Sequence, residues 1–257
     1  RPLAGGPEEV LLDENLLLDD PDCGGDYVAL GVREVSPDGR LLAYSADFDG
    51  DEVYQLRIRD LATGTDRPER IERSYYGLAW SADSRSVFYT VTDPIYRPYQ
   101  VWRHDVDTDP DDDVCVYTED DERFEVVVRL SRSGAVIFIE CESRETTETR
   151  YILATDARSA PMVVEPRRRG IEYRTDHADG PDGGDLSAIV GTVHLDEFGE
   201  EALRRNLENL DWLSVTARAH DAVISAIARS GPVLPVRMAT VYLDDERVKE
   251  LLNTRRQ

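Results

Sequence analysis

Lysine is all but absent from this chain. Lys249 stands alone among 30 basic residues, against 53 acidic ones, and the formal charge is −23. A surface this acidic repels phosphate backbones, so a nucleic-acid role would need a concentrated basic patch. The basic runs are Arg167-Arg168-Arg169 and Arg255-Arg256, and they read as solvated or salt-paired surface. No nucleic-acid partner is expected. Cysteine is scarce too. Cys23, Cys115 and Cys141 are odd in number, far apart and form no C-x-x-C pair. They therefore indicate neither a zinc site nor a disulfide framework, and a reducing, cytoplasmic compartment is the expected setting. No stretch approaches the ~20 apolar residues that cross a bilayer, and the first residues lack a signal-peptide apolar run; no membrane partner is expected. A G-x-S-x-G nucleophile elbow is also lacking. Arg132-Ser133-Gly134 and Arg229-Ser230-Gly231 lack the first glycine, and His104, His177, His194 and His220 stand in no recognisable triad order. No catalytic, cofactor-binding or metal-ligating residue is assigned.

What the chain does have is a repeat. Ser36-Pro37-Asp38-Gly39-Arg40 is a turn leading into the strand Leu41-Leu42-Ala43-Tyr44. Pro37 suits the first central turn position, and Gly39 relieves the backbone behind it. Tyr54 to Asp60 alternates by side, as a half-buried strand should. The pattern returns from Ser81 through Val87-Phe88-Tyr89, with Tyr99 to Asp105 as the partner strand, and again from Ser131 through Val136-Ile137-Phe138-Ile139, with Arg150 to Thr155 following. The steps between the anchoring serines are 45 and 50 residues. A period of that size, with about four strands per unit, is the signature of a β-propeller blade. Before the first repeat, Val10 to Asp13 reads as a short strand and Asn15 to Leu18 as a helical turn.

Two acidic clusters invite a metal reading. Asp47-Phe48-Asp49-Gly50-Asp51-Glu52 lacks the glycine-six and glutamate-twelve spacing of a calcium loop, so it reads as a solvated hairpin turn. Asp105 to Asp113 reads as a solvated inter-strand loop of like charges.

The stretches "VLLDENLL", "LGVREVSPDGRLLAYSADFDGDEVYQLRIRDLATG", "YYGLAWSADSRSVFYT", "YRPYQVWRH" and "DERFEVVVRLSRSG" resemble the N-terminal propeller of oligopeptidase B, of the prolyl oligopeptidase family of serine peptidases. The resemblance covers roughly residues 7–178 and reaches about half of that family's propeller. It implies a lid over a separate α/β-hydrolase domain. That catalytic domain is expected to be absent, and three blades would leave open flanks whose edges invite self-association.

From Asp176 to Asp185 the chain holds four Asp, three Gly and one Pro, which read as a turn-rich, solvated seam. Charge divides unevenly there: residues 1–180 carry 40 acids and 21 bases, residues 181–257 carry 13 and 9. Beyond the seam, Asp185 to Val193 reads as a strand, about 200–206 and 210–229 as helices, Val233 to Tyr242 as a second strand with Pro235 at an edge or bulge, and the chain to about Asn253 as a last helix. The run from Trp212 through Arg218-Ala219-His220-Asp221 to Gly231-Pro232-Val233-Leu234-Pro235-Val236-Arg237 resembles the N-terminal domain of gas vesicle proteins F and L, over about 180–256. The resemblance implies an accessory factor in vesicle assembly that binds other proteins, and its opening strand is expected to be missing. His220 reads as a helix-surface or capping residue, and Arg237 as the partner of an acid such as Glu197 or Asp221.

The expected architecture is multi-domain: an all-β partial propeller of about three blades over residues 1–178, then a small, incomplete ferredoxin-like α+β domain over 179–257. The expected function is that of a non-catalytic hybrid. Its C-terminal part would bind gas vesicle shell or accessory proteins, and its N-terminal part would be an orphaned oligopeptidase lid. The alternative is a substrate-gating propeller fragment active only with a separate hydrolase chain. A product with no selected function is the third reading.

Overall fold

The structure, a computed structural model, describes residues 10–21, 23, 27–179, 185–193 and 236–241. Three consecutive four-stranded sets stand where the repeat places them. The first holds β1 (Ala29–Val35), β2 (Leu41–Asp47), β3 (Tyr54–Asp60) and β4 (Thr65–Asp66). The second holds β5 (Ile71–Trp80), β6 (Ser86–Thr92), β7 (Pro98–Asp105) and β8 (Val114–Thr118). The third holds β9 (Glu125–Leu130), β10 (Val136–Glu142), β11 (Thr147–Leu153) and β12 (Met162–Glu165). Within each set neighbours in sequence are neighbours in the sheet. The sets meet only briefly: β3 and β5 pair at two positions, and β5 and β9 run parallel at the single pair Leu78–Arg129. This is a propeller-like arrangement of blades.

The turn that opens each hairpin explains the repeat. Ser36 Oγ donates to Asp38 Oδ1 at 2.6 Å and accepts the Leu41 amide at 3.0 Å, while Asp38 also accepts the Arg40 amide at 3.1 Å. Ser81, Asp83, Arg85 and Ser86 reproduce the same bonds at 2.7, 2.9 and 3.1 Å. A hydroxyl followed two residues later by a carboxylate satisfies the turn amides that no strand can reach. The left-handed position of the turn is Gly39 in the first blade and Ser84 in the second.

Apolar side chains of the first two blades interleave. Leu41, Ala43, Leu56 and Ile58 pack with Ile71, Leu78, Trp80, Val87 and Tyr89. Trp80 Nε1 donates across to the Glu34 carbonyl at 3.0 Å, so its one polar atom is satisfied inside that contact. In the third blade Ile137, Ile139 and Ile152 are fully buried.

The alternation expected for Tyr54 to Asp60 holds only in part, because Arg57, on the expected wet face, is fully buried. The reason lies upstream. Residues 10–13 form no strand; Asp13 instead caps a short helix, α1 (Glu14–Leu17), by accepting the Asn15 amide at 3.0 Å. Leu17 then packs on Leu42, Tyr44 and Ala46, and Asp20 pairs with the Arg57 guanidinium at 2.7 Å. The outer face of the first blade, expected to be an open flank, therefore carries a cover of its own.

The chain divides into two compact units: Arg1–Leu130 with Gly134–Ile139 and Ile152–Pro161, and Ser131–Ser133 with Glu140–Tyr151 and Met162–Gln257. In the second, β13 (Ile171–Asp179) pairs antiparallel with β14 (Asp185–Val193), from Ile171–Val193 to Asp179–Asp185. β14 pairs parallel with β15 (Val236–Val241). A parallel pair needs a crossover of a dozen or more residues, and the residues between β14 and β15 supply that length. Both strands expected after residue 180 are thus observed. The helices expected at 200–206, 210–229 and after Asp244 lie outside the described residues.

Candidate functional site

The stretch read as a solvated seam is partly built into a sheet. Asp176 to Asp179 belong to β13, and His177 is buried. β13 has two sets of partners. Along one edge it makes the ladder to β14. Towards the third blade it is held through side chains: Thr147 Oγ1 donates to the Tyr173 carbonyl at 3.0 Å and accepts the Tyr173 amide at 2.7 Å. The Tyr173 hydroxyl accepts the Thr149 amide at 2.7 Å, and the Ser133 amide donates to the His177 carbonyl at 3.0 Å. These bonds satisfy backbone groups that a buried strand cannot leave bare.

Ser133 and His177 form a contact that sequence order did not suggest: Ser133 Oγ lies 2.6 Å from His177 Nδ1. The pair does not have the layout of a hydrolase dyad. In a triad the serine meets Nε2 and the acid holds Nδ1, whereas here the serine takes Nδ1. Here the Asp176 carboxylate is turned to the Arg132 and His177 amides, at 3.2 and 2.8 Å. Ser133 occupies the turn position that Asp38 and Asp83 occupy in the first two blades and meets Ser131 Oγ at 3.0 Å. His177 supplies the polar partner for this altered turn.

A second repeated constellation sits where the outer strands meet. In the first blade Tyr44 donates to Asp66 at 2.5 Å and Arg59 pairs with the same carboxylate at 2.9 Å. In the second, Tyr89 donates to Asp113 at 2.7 Å and His104 Nδ1 meets the other oxygen at 2.7 Å. In the third blade the corresponding positions are the apolar Ile139 and Ala154, so the cluster is dispensable for a blade. His104 is fully buried, and its Nε2 has no partner among the described residues. With Nδ1–H donating to Asp113, Nε2 is a bare acceptor, a smaller loss than a bare donor. Burial first, and then the bond to Asp113, push the Tyr89 hydroxyl well above its ordinary pKa, so it remains a donor. Tyr89→Phe is expected to cost about 1–3 kcal/mol, the range for a buried acceptor deprived of a partner. Chemical denaturation of the parent and variant measures it.

Asp105 and Asp113 therefore correct the reading of the 105–113 run as uniformly solvated. Asp105 accepts the Ser86 hydroxyl at 2.6 Å and pairs with Arg158 at 2.8 Å. Only the middle of the run is a loop: Asp109 caps a 3-10 turn, Pro110–Asp112. The Asp47 cluster is a hairpin turn, as expected. Asp47 accepts the amides of Asp49, Gly50 and Glu52 at 2.9, 2.7 and 3.0 Å. Among the described residues no group of three or more His, Cys, Asp or Glu side chains is placed to hold a metal ion. His194, His220 and Asp221 lie outside the described residues, as does the side chain of Arg237.

In the second unit, Glu148 is buried between Arg150 at 2.9 Å and Arg167 at 3.3 Å and accepts the Arg167 amide at 3.1 Å. Burial raises its carboxyl pKa, but the Arg167 amide and the two guanidinium groups outweigh it, and the net shift is downward. The folded state thus prefers the ionised form. That stabilisation is complete above the unfolded glutamate value of about 4.3 and is lost as pH falls through the lower folded value. Unfolding titrations on the Glu148→Gln variant are expected to show a shallower acid limb than the parent.

The chain matches the family described as "Prolyl oligopeptidase, N-terminal beta-propeller domain" over residues 1–183 and "Gas vesicle synthesis protein GvpL/GvpF" over 181–257. It is 34% identical to Protease 2 of Moraxella lacunata over 178 residues, which is 68% of this chain and 25% of that protein. It is 54% identical to gas vesicle protein L of Streptomyces sp. (strain CB03234) over 69 residues, 27% of this chain and 26% of that protein. Among solved structures, oligopeptidase B from Leishmania major superposes with a TM-score of 0.63 at 23% identity, covering 74% of this chain and 28% of that one. At that identity the likeness is one of fold. The chain spans about a quarter of the length of the curated relatives it matches. The match to the peptidase family falls on its propeller domain and not on its catalytic domain. Three blades on a Ser-x-Asp turn repeat, continuing through β13 into a second sheet, thus have a family to which they belong: the chain is a member of the prolyl oligopeptidase N-terminal β-propeller family, and its residues 181–257 match the gas vesicle synthesis protein GvpL/GvpF family.

Proposed function

We propose that this chain acts by binding proteins, without chemistry of its own. In this reading residues 181–257 engage gas vesicle shell or accessory proteins, and the blades serve as a scaffold that holds the segment. The domain boundary falls near residue 178. The observation that carries the reading is β13. It lies within the peptidase-type match, yet it is hydrogen-bonded along its length to β14, which lies within the vesicle-type match. Two segments that share a sheet present one surface, and no described side chains around it form a nucleophile, base and oxyanion site.

The test is retention of the full chain on immobilised, purified gas vesicle shell protein. Expected is retention that is lost when β14 is broken by Ile189→Pro, which removes a ladder donor. Hydrolysis of an arginyl peptide well above that of a heat-denatured control would overturn the non-catalytic reading.

The match of residues 1–183 to the peptidase propeller favours a second reading: a substrate gate that works with a separately encoded hydrolase chain. That reading requires a complex between the two polypeptides. It fails if size-exclusion chromatography of the mixture shows two independent peaks.

A further inference from the structure

The first compact unit holds a cleft of about 410 Å³ where the opening turns of the first two blades come together. Leu41 and Val106 are among the residues that line it. The turns are tied to each other, since the Asp38 amide donates to the buried Ser84 hydroxyl at 3.1 Å. Four aspartates and four arginines line the cleft, which makes its wall neutral in a molecule that carries −23 overall.

The lining charges are not equally committed. Asp38 is held by Ser36 and the Arg40 amide, and Asp60 accepts the Ala62 and Thr63 amides at 2.9 and 3.2 Å. Asp105 is held by Ser86 and Arg158, and Asp107 is paired with Arg67. All four carboxylates, and the Arg67 and Arg158 cations, are therefore already partnered. Arg40 and Arg85 differ: among the described residues neither guanidinium makes an ion pair within 4.0 Å or a hydrogen bond. They hold the same place in successive repeats, four residues after Ser36 and Ser81, and the third repeat has Ala135 there. Two guanidinium groups without a hydrogen bond thus line one cleft from turns held by their own hydrogen bonds, with Arg40 attracted at longer range by Asp38 and Asp60 and Arg85 by Asp83. Guanidinium matches the paired oxygens of a carboxylate or phosphate with two parallel N–H donors.

We propose that this cleft is a binding site for a small polyvalent oxyanion, held between Arg40 and Arg85. The two sources of such oxygens, a polycarboxylate and a phosphate, are separable by titrating the full chain with citrate and with inorganic phosphate, at constant ionic strength set with sodium chloride. Saturable heat or amide chemical-shift changes at the Ser36 and Ser81 turns are expected with at least one of them. The Arg40→Gln/Arg85→Gln variant is expected to weaken binding by about tenfold or more, the loss of one to two charge-assisted contacts. Both side chains are exposed, so the variant is expected to keep its unfolding midpoint, a control that separates lost binding from lost folding. Arg40→Lys/Arg85→Lys is expected to bind at an intermediate level, because lysine keeps the charge but not the fork. Absence of saturable binding to both probes overturns the proposal, and so does unchanged affinity in the glutamine variant.

Discussion

Asp20→Ala is expected to destabilise the first unit by about 3 kcal/mol, near the low end for breaking a buried ion pair from one side. The cost arises from what remains. Arg57 is fully buried, with its guanidinium 4.7 Å from the Phe48 ring centre, and it would lose its closest carboxylate while Gln55 at 2.6 Å, Asp66 at 3.8 Å and Tyr44 remain among its contacts. The reverse change, Arg57→Met, is expected to be milder. It leaves Asp20, whose side chain is 18% exposed and can recover water, and it fills the site with apolar volume. The double variant should fall close to Arg57→Met alone, since the charge left stranded by Asp20→Ala is gone. Urea unfolding of the three variants measures the order. If Asp20→Ala unfolds at the parental midpoint, the α1 segment does not seat on β3 in solution, and the first blade has an exposed flank after all.

Gly77→Ala is expected to cost about 3 kcal/mol or more, from two sources that add. The residue sits at φ +109°, where a Cβ is strained at roughly 1–3 kcal/mol. The new methyl would also stand 2.8 Å from the Val128 carbonyl oxygen and 3.0 Å from its amide nitrogen. Those are backbone atoms of β9 and cannot swing aside, so β5 and β9 must part where Leu78 pairs with Arg129. Shortening Thr90, whose Oγ1 lies 2.9 Å away, should give little rescue, because the obstacle is main chain. Gly39→Ala is the control. It shares the left-handed conformation, at φ +72°, but meets nothing within 4 Å, so only the conformational cost of about 1–2 kcal/mol applies. Equal losses in the two variants would mean that close approach of the blades plays no part.

Much of the architecture was legible because its cause is local. Ser36-x-Asp38 and Ser81-x-Asp83 each close their own turn within five residues, so the motif can be recognised without knowing what surrounds it. β14 and β15 were legible for the same reason, as apolar runs bounded by turn residues. The failures share a different cause. Arg57, Asp105, Asp113 and His177 were all read as facing water, since charged side chains usually do. Each is withdrawn from water or engaged by a residue distant in sequence: Asp20 lies 37 residues before Arg57, Arg158 lies 53 after Asp105, and Ser133 lies 44 before His177. Asp113 is only nine residues from His104, but the pairing needs β7 and β8 already side by side.

Of the two features tied to function, one belongs to the sequence and the other to the tertiary structure. The change of family near residue 181, and the want of a nucleophile elbow, are properties of residue order. They could be read without coordinates, because a motif is a local arrangement of side chains. That β13 serves the third blade and β14 together could not. A strand's two edges are chemically alike in sequence, and only packing decides which partner each one finds. For the same reason Asp176 to Asp179 and Asp185 were read as solvated, whereas they are paired strand residues of β13 and β14.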